Sequence, residues 1–419
     1  MSTPAVPVAN GQVVTNIEEW TRAAGNPTVR SIVVRGQLLN APTSRLAPGQ
    51  SLSGEDASAA ICFAAGKDGL QISADNTVRG VALHASDAQR AIFNDYGVSS
   101  LGRITIASVT TTGQVQILAR DEVRAGHVEI DGLDIVSADA SARTDMPRGY
   151  GVSVLQGAFT LWNMQSDKTC VLSANLAGLS AGRPGAPVSG SGIFVSGGGD
   201  AAGRPIAPLL ETGAIFSDGG IAPGTPDQIT GGVFAGYGAH IDLVHNSEPV
   251  VTHGVNDMVL DNWGVVDRWT ADGKLASLGP SGIGFVNFGS INELRVLAPI
   301  ETFGQGARGF NVYGGTVGSA EFDSITTHAD GAVGVQISRP VGRLVVHRGI
   351  ETFGGTGESL VKRVVMKLLA IGLSIKPGGA VDAIEIDGGL VTHGRGVPAF
   401  ELNSTGGSLV VDGGLRSGA

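Results

Sequence analysis

Two glutamates stand at equivalent positions of a repeated phrase and could share an acid–base reaction. Glu301 and Glu351 each precede the residues Thr-Phe-Gly. A pair of carboxyl groups about 6.5–9.5 Å apart can hydrolyse a glycosidic bond, one protonating the leaving oxygen while the other activates water. His328, in the copy of the phrase between them and close to Asp330, could adjust the protonation of one glutamate. We predict Glu301, Glu351 and His328 as the catalytic residues of a glycoside hydrolase or transglycosylase; the alternative is two solvated surface glutamates.

Aromatic and polar side chains recur at two neighbouring positions of the same phrase and could bind a sugar. Aromatic rings pack against the C–H groups of a sugar, while amides and carboxylates bond its hydroxyls. Arg339, in a basic cluster with Arg343, His347 and Arg348, could hold an acidic sugar. The predicted substrate-binding set is Arg339 with Trp263, Phe288, Tyr313, Asp261, Asn311 and Gln336. The alternatives are an aromatic stack under a loop and a cluster of surface ion pairs.

A repeat of 25 residues sets the spacing of these candidates. Five copies of the phrase in register open at Thr252, Ser277, Thr302, Thr327 and Thr352, and a further copy opens at Thr392. Each repeat carries three apolar patches, which is the pattern of strands in a three-sided coil. One turn of such a coil, a rung, cannot bury its apolar face alone, so rungs must stack. The repeat predicts an all-β fold, a single parallel β-helix with three strands and about 25 residues per rung.

The register of the repeat sorts side chains into inward and outward columns. One inward column is predicted to contain Leu260, Phe285, Phe310, Val335 and Leu360. A second is predicted to contain Trp269, Leu294, Leu344 and Leu369, with an interruption at Ser319. Strand side chains alternate and rungs are about 4.8 Å apart, so Glu301 and Glu351 should point outward about 9–10 Å from each other. The stretch from Glu358 could also form an amphipathic helix, but its apolar residues fit the inward columns and we predict a rung.

The N-terminal segment has the features of a cap on the coil. Asn16 precedes the sequence IEEW, which predicts a short N-capped helix over the first rung. The segments NIEEWTRAAG, SIVVRG and LAPGQSLSGE together resemble the entry into the pectate-lyase-like right-handed parallel β-helices, in which an amphipathic helix caps the barrel. This resemblance implies a right-handed coil and concerns the fold. We predict an arm and capping helix at 1–30 and the β-helix at 31–419, with long loops near 180–226, where Gly, Ala and Pro are frequent.

The catalytic pattern of that family is incomplete in this chain. Its lyases combine a calcium-binding acidic cluster with the pattern Arg-x-x-Pro-x-x-Arg, whereas this chain has Arg339 directly before Pro340 and Arg343 three residues later. No cluster of aspartates accompanies these residues. The resemblance therefore implies the fold more strongly than calcium-assisted elimination.

Composition limits the partners that this chain can have. The net charge of −10 argues against nucleic acid or an anionic membrane, because phosphates are met by clustered Lys and Arg. Cys62 and Cys170 match no metal or redox spacing, and the histidines of the repeat should lie about three rungs, or roughly 14 Å, apart. We expect a carbohydrate ligand, no metal or other cofactor, and a surface that allows a homo-oligomer. The sequence has no signal-peptide pattern, which predicts a soluble cytoplasmic protein, or a secreted one if a signal has been removed.

Two other classes of function fit the same residues. One is a non-catalytic glycan-binding or structural solenoid, and the other is a polysaccharide lyase. A catalytic protein should have one cleft with perturbed carboxyl groups, whereas a structural solenoid should show uniform ladders and no pocket.

Overall fold

The computed structural model describes residues 11–361, 363–404 and 407–418. The chain is all-β, with 57% strand and 2% helix, and its strands stack in parallel into long sheets, as in a parallel β-helix or solenoid. No helix in these three ranges is long and apolar enough to cross a bilayer.

The first sheet is one long side of the stack and carries the pocket described below. Its parallel strands are Ser44–Arg45, Leu70–Ile72, Arg90–Asn94, Gln114–Ala119, Gly157–Asn163, Ser191–Ser196, Gln228–Ala235, Asp257–Asn262, Ile283–Asn287, Arg308–Val312, Val333–Ile337, Leu373–Ile375 and Phe400–Leu402. A small hairpin, Arg148–Gly149 with Val152–Val154, joins this sheet through Gln228–Ala235.

A sheet of 26 strands forms the rest of the stack, and its two runs of parallel strands are here called the second and third sheets. The second sheet contains Gln12–Val14, Ser31–Val34, Ser51–Gly54, Thr77–Arg79, His240–Asn246, Val265–Ala271, Ser290–Val296, Thr316–Phe322, Pro340–Val346, Ala380–Ile386 and Ser408–Val411. The third sheet contains Gln37–Ala41, Ala60–Phe63, Ala82–His84, Val188–Ser189, Val250–Thr252, Leu275–Ser277, Ile300–Thr302, Ile325–Thr327, Ile350–Thr352, Leu390–Thr392 and Leu415–Arg416. Four long strands belong to both sheets: Ser100–Thr112, Ala125–Ser137, Val171–Ala181 and Arg204–Asp218.

Three of these long strands carry a left-handed residue at the same place in their register. Ser108, Gly132 and Gly178 have φ values of 51°, 79° and 67°, and the residues just before them are paired across the sheet. Glycine adopts this conformation at little cost because it has no Cβ. A single strand can therefore pass from the second sheet into the third without a loop.

The first predicted inward column is confirmed up to Val335 and wrong after it. Leu260, Phe285, Phe310 and Val335 are paired in steps of 25 residues and fully buried. The next member is Leu373 rather than Leu360. Residues 356–369, predicted as a rung, instead form an antiparallel hairpin, Thr356–Val361 with Val364–Leu369, outside the stack.

The second column differs from its prediction at two places. Ala320, and not Ser319, pairs with Leu294 and Leu344, because the turn at Gly314 and Gly315 holds one extra residue. The column then continues to Ile384 instead of Leu369. Both differences arise from insertions that change the chain spacing while the stack itself continues.

The N-terminal helix is confirmed as Ile17–Ala23. The Asn16 side chain accepts a hydrogen bond from the Glu19 N–H at 3.0 Å, as expected of an N-cap. Trp20 is fully buried in the main core, and its indole N–H donates to Ser44 Oγ at 2.9 Å. A strand precedes the helix: Gln12–Val14 pairs in parallel with Ser31–Val34, so the sheet already begins at residue 12.

The segment 180–226 was expected to form long loops and does not. It contains Val188–Ser189, Ser191–Ser196 and Arg204–Asp218, and Val171–Ala181 extends into it. The interval between paired first-sheet residues is 34 residues from Phe159 to Ile193 and 40 from Ile193 to Val233, longer than the 25 of the repeat, because the long strands Val171–Ala181 and Arg204–Asp218 lie between them. Most Gly, Ala and Pro residues of this segment lie in the connections between these strands, at 182–187, 190, 197–203 and 219–226.

Candidate functional site

Two hairpins meet over the outer face of the first sheet. The turn of the first hairpin is Tyr150–Gly151, both with positive φ, and the second hairpin, 356–369, turns at Arg363, which also has positive φ. Arg363 Nη1 donates to the Gly151 carbonyl at 3.3 Å, which joins the two tips. At its base, the second hairpin is held by Ser359 Oγ, which donates to the Gly306 carbonyl at 2.8 Å.

The hairpins and the sheet enclose a pocket of about 490 Å³. This volume lies within the roughly 300–1,000 Å³ typical of small-molecule sites. The pocket is lined by three aromatic rings, three arginines and one carboxyl group, together with aliphatic and small polar side chains; the aromatic and charged members are Tyr150, Phe288, Tyr313, Arg308, Arg339, Arg363 and Asp261.

The aromatic part of the pocket is a continuous stack. Phe288 lies between Tyr150 and Tyr313, with ring centroids 4.3 and 5.3 Å away and interplanar angles of 24° and 28°. Trp263 packs edge-on against Phe288 at 5.7 Å and is almost completely buried. Trp263, Phe288 and Tyr313 thus lie on one face, while their role in binding stays a prediction, and Tyr150 is an addition that comes from a distant hairpin.

Asp261 lies at the floor of the pocket without a hydrogen bond. Its exposed fraction is 0%, and neither carboxyl oxygen has a partner among the described residues. Its register neighbours in the first sheet are Phe234 and Val286, so the carboxyl group lies between apolar side chains. Burial raises the pKa of Asp261 well above its usual value, and the nearby Trp263 N–H, which does not reach hydrogen-bond geometry, opposes this effect only in part. Burial therefore favours the protonated form of this carboxyl group over the carboxylate.

Arg308 lies across the same floor and is 1% exposed. Its Nη1 donates to the Gly306 carbonyl at 3.3 Å and its Nη2 to Ser359 Oγ at 3.0 Å, while Nε has no partner within the described ranges. Among the described residues, no Asp or Glu carboxylate lies within 4.0 Å of the Arg308 guanidinium. A buried guanidinium without a carboxylate is costly unless something else neutralises it.

Sequence reasoning missed Arg308, although one signal was available. Its register neighbours are Ile283 and Val333, so a charged residue interrupts an apolar column of the first sheet. Such an interruption is a better indicator of a site than a residue type that recurs at every rung.

The remaining members of the predicted binding ladder are buried rather than solvent-facing. Asn311 and Gln336 share the column of Asp261, with exposed fractions of 0% and 5%. Both amide atoms of Asn311 lack a described hydrogen-bond partner. Strand alternation next to the inward column predicts that these side chains are exposed, and they are not; hairpin 356–369, predicted as a rung, lies outside the stack beside this face.

The predicted basic cluster is divided between two surfaces. Arg339 lines the pocket and is exposed. Arg343 instead pairs with Glu385 at 2.7 Å on the second sheet, and His347 lies between Glu321 at 3.0 Å and Asp387 at 3.2 Å. Hydrogen bonds that the imidazole donates to Glu321, and then to Asp387, raise the pKa of His347. Of this cluster, the pocket is lined by Arg339.

The three predicted catalytic residues do not line the pocket: Glu301 and Glu351 lie on strands of the third sheet, and His328 directly follows the strand Ile325–Thr327. Glu301 and Glu351 are in one column, each paired in register with Thr326 between them. Glu301 forms an ion pair with Lys274, and Glu351 accepts from His393 Nε2 at 2.7 Å. The His328 ring is stacked between Phe303 at 4.4 Å and Phe353 at 5.4 Å. Their catalytic role stays a prediction.

No group of three or more His, Cys, Asp or Glu side chains in the described ranges is arranged to hold a metal ion. Comparison with known proteins adds no relative, since no family model, no curated protein and no solved structure matches this chain. The candidate site therefore has to be interpreted from its own chemistry.

Proposed function

We propose that this protein acts on an acidic oligo- or polysaccharide, which it binds in the pocket beneath the two hairpins. The observation that carries the proposal is Arg308, a buried guanidinium that lines the pocket and has no carboxylate partner within the described ranges. A carboxylate of the ligand, such as that of a uronic acid, would complete this pair. Arg binds carboxylates through two parallel N–H donors, which fixes the orientation of the ligand as well as its charge.

The rest of the pocket fits the same ligand. Tyr150, Phe288 and Tyr313 offer ring surface for the C–H groups of a sugar, and Tyr150 is half-exposed. Arg339 and Arg363 add positive charge at the rim of a chain whose net charge is −10. A local positive pocket in an acidic protein concentrates anionic ligands there and disfavours them elsewhere.

We also infer that the coil is right-handed, with three strands per rung, as in the pectate-lyase-like β-helices. Parallel strands joined by crossovers follow this hand in nearly all proteins. In this arrangement the pocket lies on the outer face of one long side, and a linear polymer can extend along the stack beyond the hairpins.

Glycosidic bond cleavage is the second candidate, and Asp261 is the observation that favours it. A carboxyl group whose pKa is raised by burial can protonate a leaving oxygen. Hydrolysis by a pair of carboxyl groups needs a second carboxyl group. Among the described residues that line the pocket, however, Asp261 is the only one with a carboxyl group. The hairpin tips would have to part before substrate reached it.

Titration with a short oligogalacturonide and with a neutral oligogalactoside of the same length tests the proposal, using tryptophan fluorescence because Trp263 adjoins the pocket. The acidic ligand should bind and the neutral one should bind far more weakly. Arg308→Gln should weaken acidic binding at least about thirtyfold, since loss of one member of a buried charge pair typically costs 2–5 kcal/mol.

Arg395→Gln is the matched control, because Arg395 is exposed and lies outside the pocket. Arg339→Gln gives a second variant at an exposed position, where a folding defect is not expected. Equal binding of acidic and neutral ligands, or unchanged affinity in both pocket variants, would contradict the proposal.

A further inference from the structure

A serine, a histidine and a glutamate lie side by side on the outer face of the second sheet, away from the pocket. His127 and Ser173 are directly opposite each other on the neighbouring strands Ala125–Ser137 and Val171–Ala181. Glu129 follows His127 by two residues, so both side chains point to the same face. Asn175 stands opposite Glu129 in the same way.

The three side chains form a relay of hydrogen bonds. His127 Nδ1 is 2.9 Å from Ser173 Oγ, and His127 Nε2 is 3.0 Å from Glu129 Oε2. Both distances lie within the roughly 2.6–3.2 Å that a nucleophile, its base and the orienting group require. The order serine, histidine, carboxylate is that of the triads that transfer acyl groups, which are recognised by geometry on unrelated folds.

The surroundings of Glu129 decide the tautomer of His127. Glu129 Oε1 accepts from Asn175 Nδ2 at 2.7 Å, and Oε2 also accepts from Arg103 Nη2 at 3.0 Å. These contacts, with the Asn175 bond first and the His127 bond next, lower the pKa of Glu129, so it is ionised at neutral pH. An ionised Glu129 can only accept, so neutral His127 carries its proton on Nε2. Nδ1 is then free to take the hydroxyl proton of Ser173.

The serine is accessible, and the sheet next to it is irregular. The His127 and Glu129 side chains are 29% and 25% exposed, and Ser173 is partly exposed. The register of the following strand shifts between the partners of Ser173 and Asn175, which are Ile206 and Leu209. Such bulges are frequent next to active sites because they redirect side chains and interrupt strand pairing. Ser173 Oγ also lies 3.3 Å from the Gly126 carbonyl, its alternative acceptor.

We propose that Ser173 is the nucleophile of a second, ester-cleaving site, with His127 as general base and Glu129 as the residue that positions the imidazole. Ser173 Oγ bonds to the carbonyl carbon of an ester while its proton passes to His127 Nδ1. The C–O bond to the alcohol then breaks, the alcohol leaves with that proton, and water releases the acid from Ser173 by the same steps. A flat sheet face offers no deep acyl pocket, so the substrate class is a small acyl ester, such as acetyl, on an extended carrier.

Labelling with a fluorophosphonate probe, located by peptide mass spectrometry, tests this proposal on the full-length protein. Ser173 should be labelled, and slow release of p-nitrophenol from p-nitrophenyl acetate should accompany it. Ser173→Ala and His127→Gln should each reduce both signals at least about tenfold, in the lower part of the range for loss of a general base. Ser180→Ala, on the same strand, should change neither signal.

The proposed positioning role of Glu129 is tested by the pH dependence of Ser173 labelling in Glu129 variants. Glu129→Gln should lower the labelling rate and shift its pH profile, and Glu129→Asp should restore part of the rate. Unlabelled Ser173 in a folded protein, or equal ester cleavage by wild type and Ser173→Ala, would overturn the proposal. Circular dichroism and melting temperature establish that the variants are folded.

Discussion

The outer faces of the first and third sheets both carry columns of polar side chains, but their environments are opposite. On the first sheet, Asp261 and Asn311 are fully buried beside the hairpins and have no hydrogen-bond partner among the described residues. On the third sheet, Glu301 and Glu351 are partly exposed, and each is paired with a cation or a histidine from a neighbouring rung.

The difference indicates which polar residues the fold itself explains. An exposed ion pair contributes about 0–1 kcal/mol and is common wherever rungs align charges of opposite sign. A buried polar group without a partner costs about 1–3 kcal/mol, and nothing in the stack recovers this energy. Buried polar residues that lack a hydrogen-bond partner and so lower stability are therefore better candidates for function than residues that form regular ladders on a surface.

The largest expected effect concerns Asp257, on the same strand as Asp261. Burial raises the pKa of Asp257 to about 8, although the backbone N–H groups of Gly254 and Gly219 donate to its Oδ2 at 3.4 and 3.2 Å. The folded state thus retains a proton that the unfolded chain, with a pKa near 3.9, releases. Stability should be highest below about pH 4 from this group and fall as the pH rises toward about 8.

Chemical denaturation at pH 5 and pH 8 measures this loss, which should amount to a few kcal/mol because each tenfold change in proton affinity corresponds to about 1.4 kcal/mol. The contribution of His347 to stability also falls as the pH rises, since its pKa is raised in the folded state as well. Asp257→Asn isolates the carboxyl contribution, because the amide keeps the shape and cannot ionise. Equal pH dependence in wild type and variant would show that Asp257 is not buried as described.

A smaller effect of opposite sign is expected at the pocket floor. Asp261→Val should raise the free energy of unfolding by about 1–3 kcal/mol, because it replaces an unpaired carboxyl group between Phe234 and Val286 with an apolar side chain. Asp242→Val, at an exposed strand position, is the control and should change stability by less than about 0.5 kcal/mol. A destabilised Asp261→Val protein would mean that the carboxyl group has a structural partner.

The sequence was sufficient to predict the stack because stacking follows from a repeat. The spacing of Leu260, Phe285 and Phe310 already determines which side chains meet, and the capped helix at Asn16 follows from local chemistry. Hairpin 356–369 was not predictable in this way, because its apolar residues fit the repeat as well as they fit a hairpin. Val364 and Val365, predicted as part of a rung, are each 61% exposed.

The candidate site could be predicted only in part for the same reason. Phe288 and Tyr313 belong to the repeat and were found, whereas Tyr150 comes from a hairpin more than a hundred residues upstream in the chain. Contacts between distant segments leave no periodic signal. Burial of Asp261 likewise depends on cover that lies outside the register, so its raised pKa could not be inferred from strand alternation.

The smallest effect is expected on the third sheet. Glu301→Gln and Glu351→Gln should each change the free energy of unfolding by less than about 0.5 kcal/mol, because each loses a solvent-screened pair on a surface. Neither should alter the affinity for an acidic oligosaccharide, since both lie outside the pocket lining. If screening of glycans reveals an activity, its rate in these variants distinguishes catalysis in the pocket from catalysis on the third sheet. A reaction in the pocket predicts full turnover in both variants and loss in Asp261→Asn, whereas catalysis by the glutamate pair predicts the reverse, with His328 as the next residue to replace.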